Sequence, residues 1–208
     1  MQRIGLLSGT FDPIHYGHVT LAQTARAQLG LDEVWILVNG SPEGKTEVAA
    51  FKHRLEMARR AVIEVNGVVA DREPVQRMAQ RHSIATAHQL VQDYPDHRFT
   101  LIMGIDTFSG IDSWDDHAKL LSLMDFAVAE RPGSNPSAIA DLQRRLGAVA
   151  SRLNYRLIAM PPLSVSSRQA KDSLRTGAPA TDIPSAVQQY ISYYQLYTAA
   201  SNPVRRFQ

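Results

Sequence analysis

Ser8-Gly9-Thr10-Phe11-Asp12-Pro13-Ile14-His15-Tyr16-Gly17-His18 decides how the rest of this 208-residue chain is read. The apolar run Ile4-Gly5-Leu6-Leu7 precedes it, and Val19 to Ala25, of helix-forming composition, follows it. The segment is therefore strand, turn-rich loop and helix in succession. A helix start leaves backbone N–H groups without intrahelical acceptors, and these attract anions, phosphate above all. Gly9 and Gly17 let backbone approach a ligand closely, and Pro13 stiffens the bend. His15 and His18, three residues apart, are placed to point at one phosphate chain from the loop and the first helical turn. Taken singly, either histidine reads first as a helix cap or a surface residue, and only the constellation points to phosphate.

Outward from this stretch the apolar runs alternate with helical patterns. Glu33 to Val38 is a buried strand ending at Asn39-Gly40, and Phe51 to Ile63 is an amphipathic helix with Leu55, Met57, Ala58, Ala61 and Val62 at helical spacing. A short strand at Val68-Val69-Ala70 precedes a polar segment, Asp71 to His82, and a helix from Ser83 to Asp93. Phe99 to Met103 is the fourth strand, a helical pattern surrounds Asp116 to Leu123, and Phe126 to Ala129 is the fifth strand. Asn135 as cap with Pro136 at the first helical position predicts a helix to about Leu153, before a sixth strand over Tyr155 to Met160. Val165 to Gly177 reads as a helix opened by serines and closed by glycine. Pro184 to Leu196 reads as a last helix, with Val187, Ile191 and Tyr194 on one stripe.

This alternation predicts an α/β fold, a Rossmann-like doubly wound parallel sheet with helices on both faces and a small C-terminal helical portion. One domain over 1–197 is expected, with 161–197 as its helical end and 198–208 as a flexible tail. In such sheets ligands lie beyond the strand C-terminal ends, near a switch point in strand order. The opening motif, the loop with Lys45, the Gly104-Ile105-Asp106 turn and the segment after strand five all fall at such ends.

Composition narrows the partners. Lys and Arg exceed Asp and Glu by 22 − 20 = +2, too little to argue for nucleic acid or an anionic membrane as the main partner. The Arg59-Arg60 and Arg144-Arg145 pairs read as solvated helix faces. The chain has no cysteine, which removes disulfides, thiolate metal sites and a cysteine nucleophile together. No apolar run approaches the ~18 residues of a membrane span and no basic, apolar leader is present, so a soluble, cytoplasmic protein is expected.

The opening stretch resembles the G-x-F-D-P-x-H-x-G-H signature of the nucleotidyltransferase superfamily and matches at every fixed position. Further stations resemble one family within it, the bacterial nicotinate-nucleotide adenylyltransferases. These stations are Gly104-Ile105-Asp106 (the family's G-x-D), Trp114, Arg131-Pro132-Gly133, Ser166-Ser167, and the terminal Tyr190-Ile191 and Leu196-Tyr197. The resemblance spans Ile4 to Tyr197. It implies that His15 and His18 are catalytic. It places ATP against Gly9, Thr10, Phe11, Gly17, Gly104, Asp106, Ser166, Ser167, Arg168 and Lys171. A pyridine mononucleotide would lie against Lys45, Ser83, Ile84, Ala85, Trp114 and Arg131. Asp106 contacts the ATP ribose in that family, and the tryptophan is associated with the nicotinate ring. On the residues alone Asp106 reads equally as a helix N-cap, and Trp114 as a half-buried core residue.

The chain departs from the family at three places. Val165-Ser166-Ser167-Arg168-Gln169-Ala170-Lys171 stands where I-S-S-T-x-x-R is usual, so lysine replaces the arginine and arginine the threonine. Arg and Lys are not equivalent at a phosphate. Only Pro42 and Lys45 have counterparts in P-P-H-K, and Ser83-Ile84-Ala85 replaces S-Y-T. The implied reaction is attack by a nucleotide phosphate oxygen on the α-phosphorus of ATP. It needs no general base, only alignment and charge stabilisation by the histidines and cations, with Mg2+ carried mainly by the ATP phosphates and no protein metal ligands. The alternatives are nicotinamide mononucleotide or another acceptor such as phosphopantetheine, and a nucleotide-binding relative without turnover. Homo-oligomerisation is left open.

Overall fold

A computed structural model describes residues 1–40, 48–70, 72, 83–130, 133–161 and 165–198. Six strands form one sheet, β1 (Gln2–Gly9), β2 (Glu33–Val38), β3 (Val68–Val69), β4 (His97–Gly104), β5 (Asp125–Ala129) and β6 (Tyr155–Ile158). Their order is β3-β2-β1-β4-β5-β6, with every neighbouring pair parallel. The helices are α1 (Tyr16–Leu29), α2 (Phe51–Val62), α3 (Ser83–Asp93), the short α4 (Ile105–Phe108), α5 (His117–Leu123), α6 (Ala138–Leu146), α7 (Ser167–Thr176) and α8 (Ser185–Tyr193). Two 3₁₀ turns, Ile111–Ser113 and Gly147–Arg152, complete the description. Among the described residues no helix is long and apolar enough to cross a membrane.

The strands read as unbroken apolar runs because the sheet is buried on both faces, and alternate side chains feed separate cores. Leu7, Ile36, Val38, Ile102, Ala127 and Ile158 pack with α1, α2, α7 and α8. Leu6, Trp35, Leu37, Leu101, Met103 and Val128 pack with α3 to α6. Leu6↔Leu101 and Leu7↔Ile102 stand opposite in register, so one residue's shift along β1 would exchange the two cores.

Four expectations are corrected. The helix placed after Asn135-Pro136 begins at Ala138, with Ser137 as its N-cap residue. Asn135 instead turns the chain, its Oδ1 accepting from the Ser137 N–H at 3.0 Å. That helix stops at Leu146, short of Leu153, because Gly147 takes φ 54°, and a 3₁₀ turn follows. β6 ends at Ile158 rather than Met160, because the Gln28 side-chain amide pairs with both the N–H and the carbonyl of Ala159. α8 ends at Tyr193, and Tyr190 takes the buried place expected of Tyr194, which is 49% exposed. The tail from residue 199 lies outside the described residues.

The neighbours of β1 decide where a ligand fits. β2 and β4 flank it, so the chain leaves β1 toward one side of the sheet and later returns to the other. A crevice therefore opens beyond the C-terminal end of β1. Residues 9–18 begin there.

Candidate active site

After β1 the chain turns over itself. Phe11 takes φ 50° and is buried, and its ring covers Gly9 so closely that a Cβ there would lie 2.9 Å from it. Pro13, Ile14 and His15 are also buried. His15 is the N-cap residue of α1 by backbone geometry. Its ring stacks on His18 at a centroid distance of 3.7 Å and an angle of 27°. The His15 N–H donates to His18 Nδ1 at 3.3 Å, which leaves the ring hydrogen of neutral His18 on Nε2. Phe11 meets His18 edge-on at 4.9 Å. Gly17 permits this packing, since a Cβ there would lie 2.6 Å from Val165 Cγ2 and 3.0 Å from the His15 ring.

The helix start is less open than the sequence suggests. The Tyr16 N–H donates to the Asp182 carbonyl at 2.9 Å, and the His18 and Val19 N–H groups both donate to the His15 carbonyl. The N–H groups of Tyr16, His18 and Val19 at the α1 start are thus already engaged within the protein.

A buried ionic cluster lies under this loop. Asp12 is 4% exposed. Its Oδ1 accepts from the Tyr197 hydroxyl at 2.6 Å and the Ala49 N–H at 3.0 Å, and its Oδ2 accepts from Lys171 Nζ at 2.9 Å. Arg54, 1% exposed, donates to the carbonyls of Ala49, Thr10, Asn39 and Gly40. Burial draws the Arg54 pKa down, while nearby Asp12 and Tyr197 oppose the shift. Burial, then the Asp12 charge, pushes the Tyr197 phenol well up. Tyr197 itself sits at φ 62°, a left-handed conformation costing a bulky residue about 1–2 kcal/mol.

The second helix start closes on the same loop. Ser166 is the N-cap of α7, its Oγ accepting from the Gln169 N–H, and Gly177 closes the helix in a left-handed turn. The Ser167 hydroxyl donates to the Pro13 carbonyl at 3.0 Å. Both serine hydroxyls are thus committed to building the site. Lys171 projects toward Asp12, whereas Arg168, at the second position of α7, is exposed.

On the other side of β1 is a cavity of about 330 Å³. Ser8, Gly9, Thr10 and Asn39 form its edge, Thr86, Ala87 and Leu90 of α3 one wall, and Trp114 with Thr107 another. Trp114 is half-buried against the core and also lines the cavity, so both readings of it hold. Ile84 packs half-buried against that core, and Ala85 is exposed. Gly104 is the N-cap residue of α4, and Asp106 stands exposed in its first turn rather than capping it. Lys45 and Arg131 lie outside the described residues, as does the Ser83 side chain.

The fold thus gathers Gly9, Thr10, Phe11, His15, Gly17, His18, Ser167 and Lys171 around one loop. Sequence reasoning missed Asp12 and Arg54 as members of this cluster, and gave Tyr197 no role beyond a place in the terminal match. The available signals were an invariant position of the motif for Asp12, and a charge on the apolar stripe of α2, shared with Met57, Ala58 and Ala61, for Arg54.

Comparison with known proteins gives the family and the fold. The cytidylyltransferase-like family model matches residues 6–176. A Bordetella avium protein named "probable nicotinate-nucleotide adenylyltransferase" is 35% identical, over 96% of this chain and 100% of its own. A Shewanella pealeana protein of the same name is 32% identical, over 97% of this chain and 98% of its own. A Plasmodium falciparum nicotinic acid mononucleotide adenylyltransferase solved with NaAD has a TM-score of 0.73 at 21% identity, covering 95% of this chain and 98% of its own, and so shares the fold. The chain belongs to the cytidylyltransferase-like family, among its nicotinate-nucleotide adenylyltransferases.

Proposed function

We propose that this protein transfers the adenylyl group of ATP to nicotinate mononucleotide, giving deamido-NAD and pyrophosphate. The observation that carries the proposal is the shared edge at Gly9 and Thr10. The stacked histidines follow it on one side, and the Trp114 cavity opens against it on the other. Two ligands bound there would meet end to end at the end of β1. Support for the family comes from the relatives named above.

The attacking oxygen belongs to an ionised phosphate and needs no base. The chain's own work is alignment and charge stabilisation. The donor Nε2–H of His18 suits an oxygen of the ATP α-phosphate, and Lys171 is the partly exposed cation held at the loop through Asp12. Asp106 is proposed to accept from the ATP ribose, its carboxylate taking no hydrogen bond from the described residues. Lys45, Arg131 and Arg168 remain in the proposal on the resemblance alone. Among the described residues no three His, Cys, Asp or Glu side chains gather to hold a metal, and both Asp12 oxygens are engaged. Magnesium, which dehydrates reluctantly and needs few protein ligands, is proposed to come with the ATP phosphates and to neutralise their charge.

For the acceptor, the cavity volume is that of a small-molecule site. Trp114 offers an aromatic ring a flat partner. Thr86, Ala87 and Leu90 of α3 form one wall, and the choice of nicotinate over nicotinamide mononucleotide is supported by the names of the relatives. Pyrophosphate release measured with ATP and nicotinate mononucleotide, nicotinamide mononucleotide or phosphopantetheine tests the proposal. The highest kcat/KM is expected with nicotinate mononucleotide. A preference for another acceptor would reassign the cavity, and no release with any of them would favour a nucleotide-binding protein without turnover. Trp114→Ala is expected to raise KM for the acceptor roughly tenfold while leaving that for ATP unchanged.

A further inference from the structure

We propose that Tyr197 is a positioning residue for the phosphate-binding cation: its hydroxyl orients Asp12, and Asp12 in turn sets the place and availability of Lys171. The two Asp12 oxygens have different partners. Oδ1 takes two neutral donors, the Tyr197 hydroxyl at 2.6 Å and the Ala49 N–H at 3.0 Å. Oδ2 takes the Lys171 ammonium at 2.9 Å. An ionised carboxylate only accepts, so the phenol is the donor.

The arrangement tunes a grip. Two neutral donors on Oδ1 draw off carboxylate charge and fix its plane, so that Lys171 is held by one oxygen only. Lys171 keeps 21% of its side chain exposed, against 5% for Asp12, so the lysine is the solvent-facing member of the pair. It is placed to exchange Asp12 for a phosphate without crossing the protein. The Ser167 to Pro13 hydrogen bond holds the start of α7 against the same loop, so the Lys171 backbone cannot drift when its partner changes. Without the phenol, Asp12 would turn and both oxygens would compete for Lys171, withholding it from phosphate. The effect runs entirely through Lys171, which separates positioning from ordinary packing. The left-handed turn at Gln195 and Tyr197 directs the ring back into the fold after α8.

This inference rests on the adenylyl-transfer reading for its catalytic meaning, and its test uses inorganic pyrophosphate, whose binding needs no turnover. Titration calorimetry on the full chain compares wild type, Tyr197→Phe, Lys171→Met and the double variant. Tyr197→Phe is expected to raise the pyrophosphate Kd about tenfold, the scale of one hydrogen bond to a charged group. In the Lys171→Met background the same change is expected to alter Kd less than twofold, because coupled residues are non-additive. With nicotinate mononucleotide as acceptor, kcat should fall in Tyr197→Phe while the acceptor KM holds. Equal losses in both backgrounds would overturn the proposal. Tyr197→Met repeats the deletion of the hydroxyl with a more adaptable side chain. If neither variant stays folded at the assay temperature, the role is structural and the proposal fails. A coupled Kd in a wild-type chain that releases no pyrophosphate with ATP would remove the enzymatic reading and leave this contact standing.

Discussion

His15 and His18 lie face to face, their ring centroids 3.7 Å apart, with the backbone N–H of the first bound to Nδ1 of the second. One histidine thereby sets the tautomer and the tilt of the other, and His18 presents a fixed donor. His18→Ala is expected to lower kcat for pyrophosphate release by about 10²–10³, the scale of losing one preorganised donor. The thermal transition should move little, because His18 is only half-buried. Near-normal turnover in a folded variant would exclude the mechanism.

Arg54 carries a full charge in a nearly closed site and gives it to four backbone carbonyls. Arg54→Met keeps the bulk but strands those carbonyls and removes a positive charge close to Asp12. A loss of about 3–5 kcal/mol is expected, the scale of breaking a buried charged network. For a chain of this size that lowers Tm on the order of 10 °C. Calorimetric melting that moves by only a degree or two would show that Arg54 is dispensable to the loop.

Gly17→Ala puts a Cβ 2.6 Å from Val165 Cγ2. Activity should drop more than tenfold, a judgement from how steeply misplacement of reacting groups is punished. The double variant Gly17→Ala, Val165→Ala removes the colliding methyl and should recover most of it. Failure to recover would shift the blame to the His15 ring, 3.0 Å away.

Stability should also fall on acidification through the histidine range. Burial lowers the His53 pKa, with the Lys52 charge as a smaller cause. Its Nδ1 lies 2.9 Å from the Tyr190 hydroxyl. The unfolded chain then binds a proton more readily than the folded one, so unfolding free energy rises with pH between the folded value and about 6.5. Below that window both states are protonated and the penalty is complete. His53→Asn should flatten this part of a denaturant-melting series taken from pH 7.5 to 5; an unchanged slope would assign it to another group.

The sheet was legible because central parallel strands must be apolar on both faces, as in Glu33–Val38 and Phe99–Met103. The phosphate loop was legible because its residues are contiguous. What lay hidden was carried by distance and burial. Asp12 meets Lys171 159 residues on and Tyr197 185 residues on, and no local pattern reports such a contact. Arg54 sits on an amphipathic helix that also carries Arg60, yet Arg60 keeps 43% of its side chain exposed in an ion pair with Glu56. Composition does not distinguish a buried arginine from a solvated one; only the angle around α2 does. The closing of β6 by Gln28 was likewise invisible, since it depends on a side chain imitating a strand.

The hydroxyl of Tyr197 has a consequence for the time course of synthesis. A ribosome adding 5–20 residues per second needs roughly 10 to 35 s to travel from His18 to Tyr197. During that interval the nascent chain holds its phosphate loop without the phenol that completes the underlying cluster. Maturation of the loop thereby waits until Tyr197 has been added, and a chain broken off before α8 is expected to remain a poor binder of triphosphate.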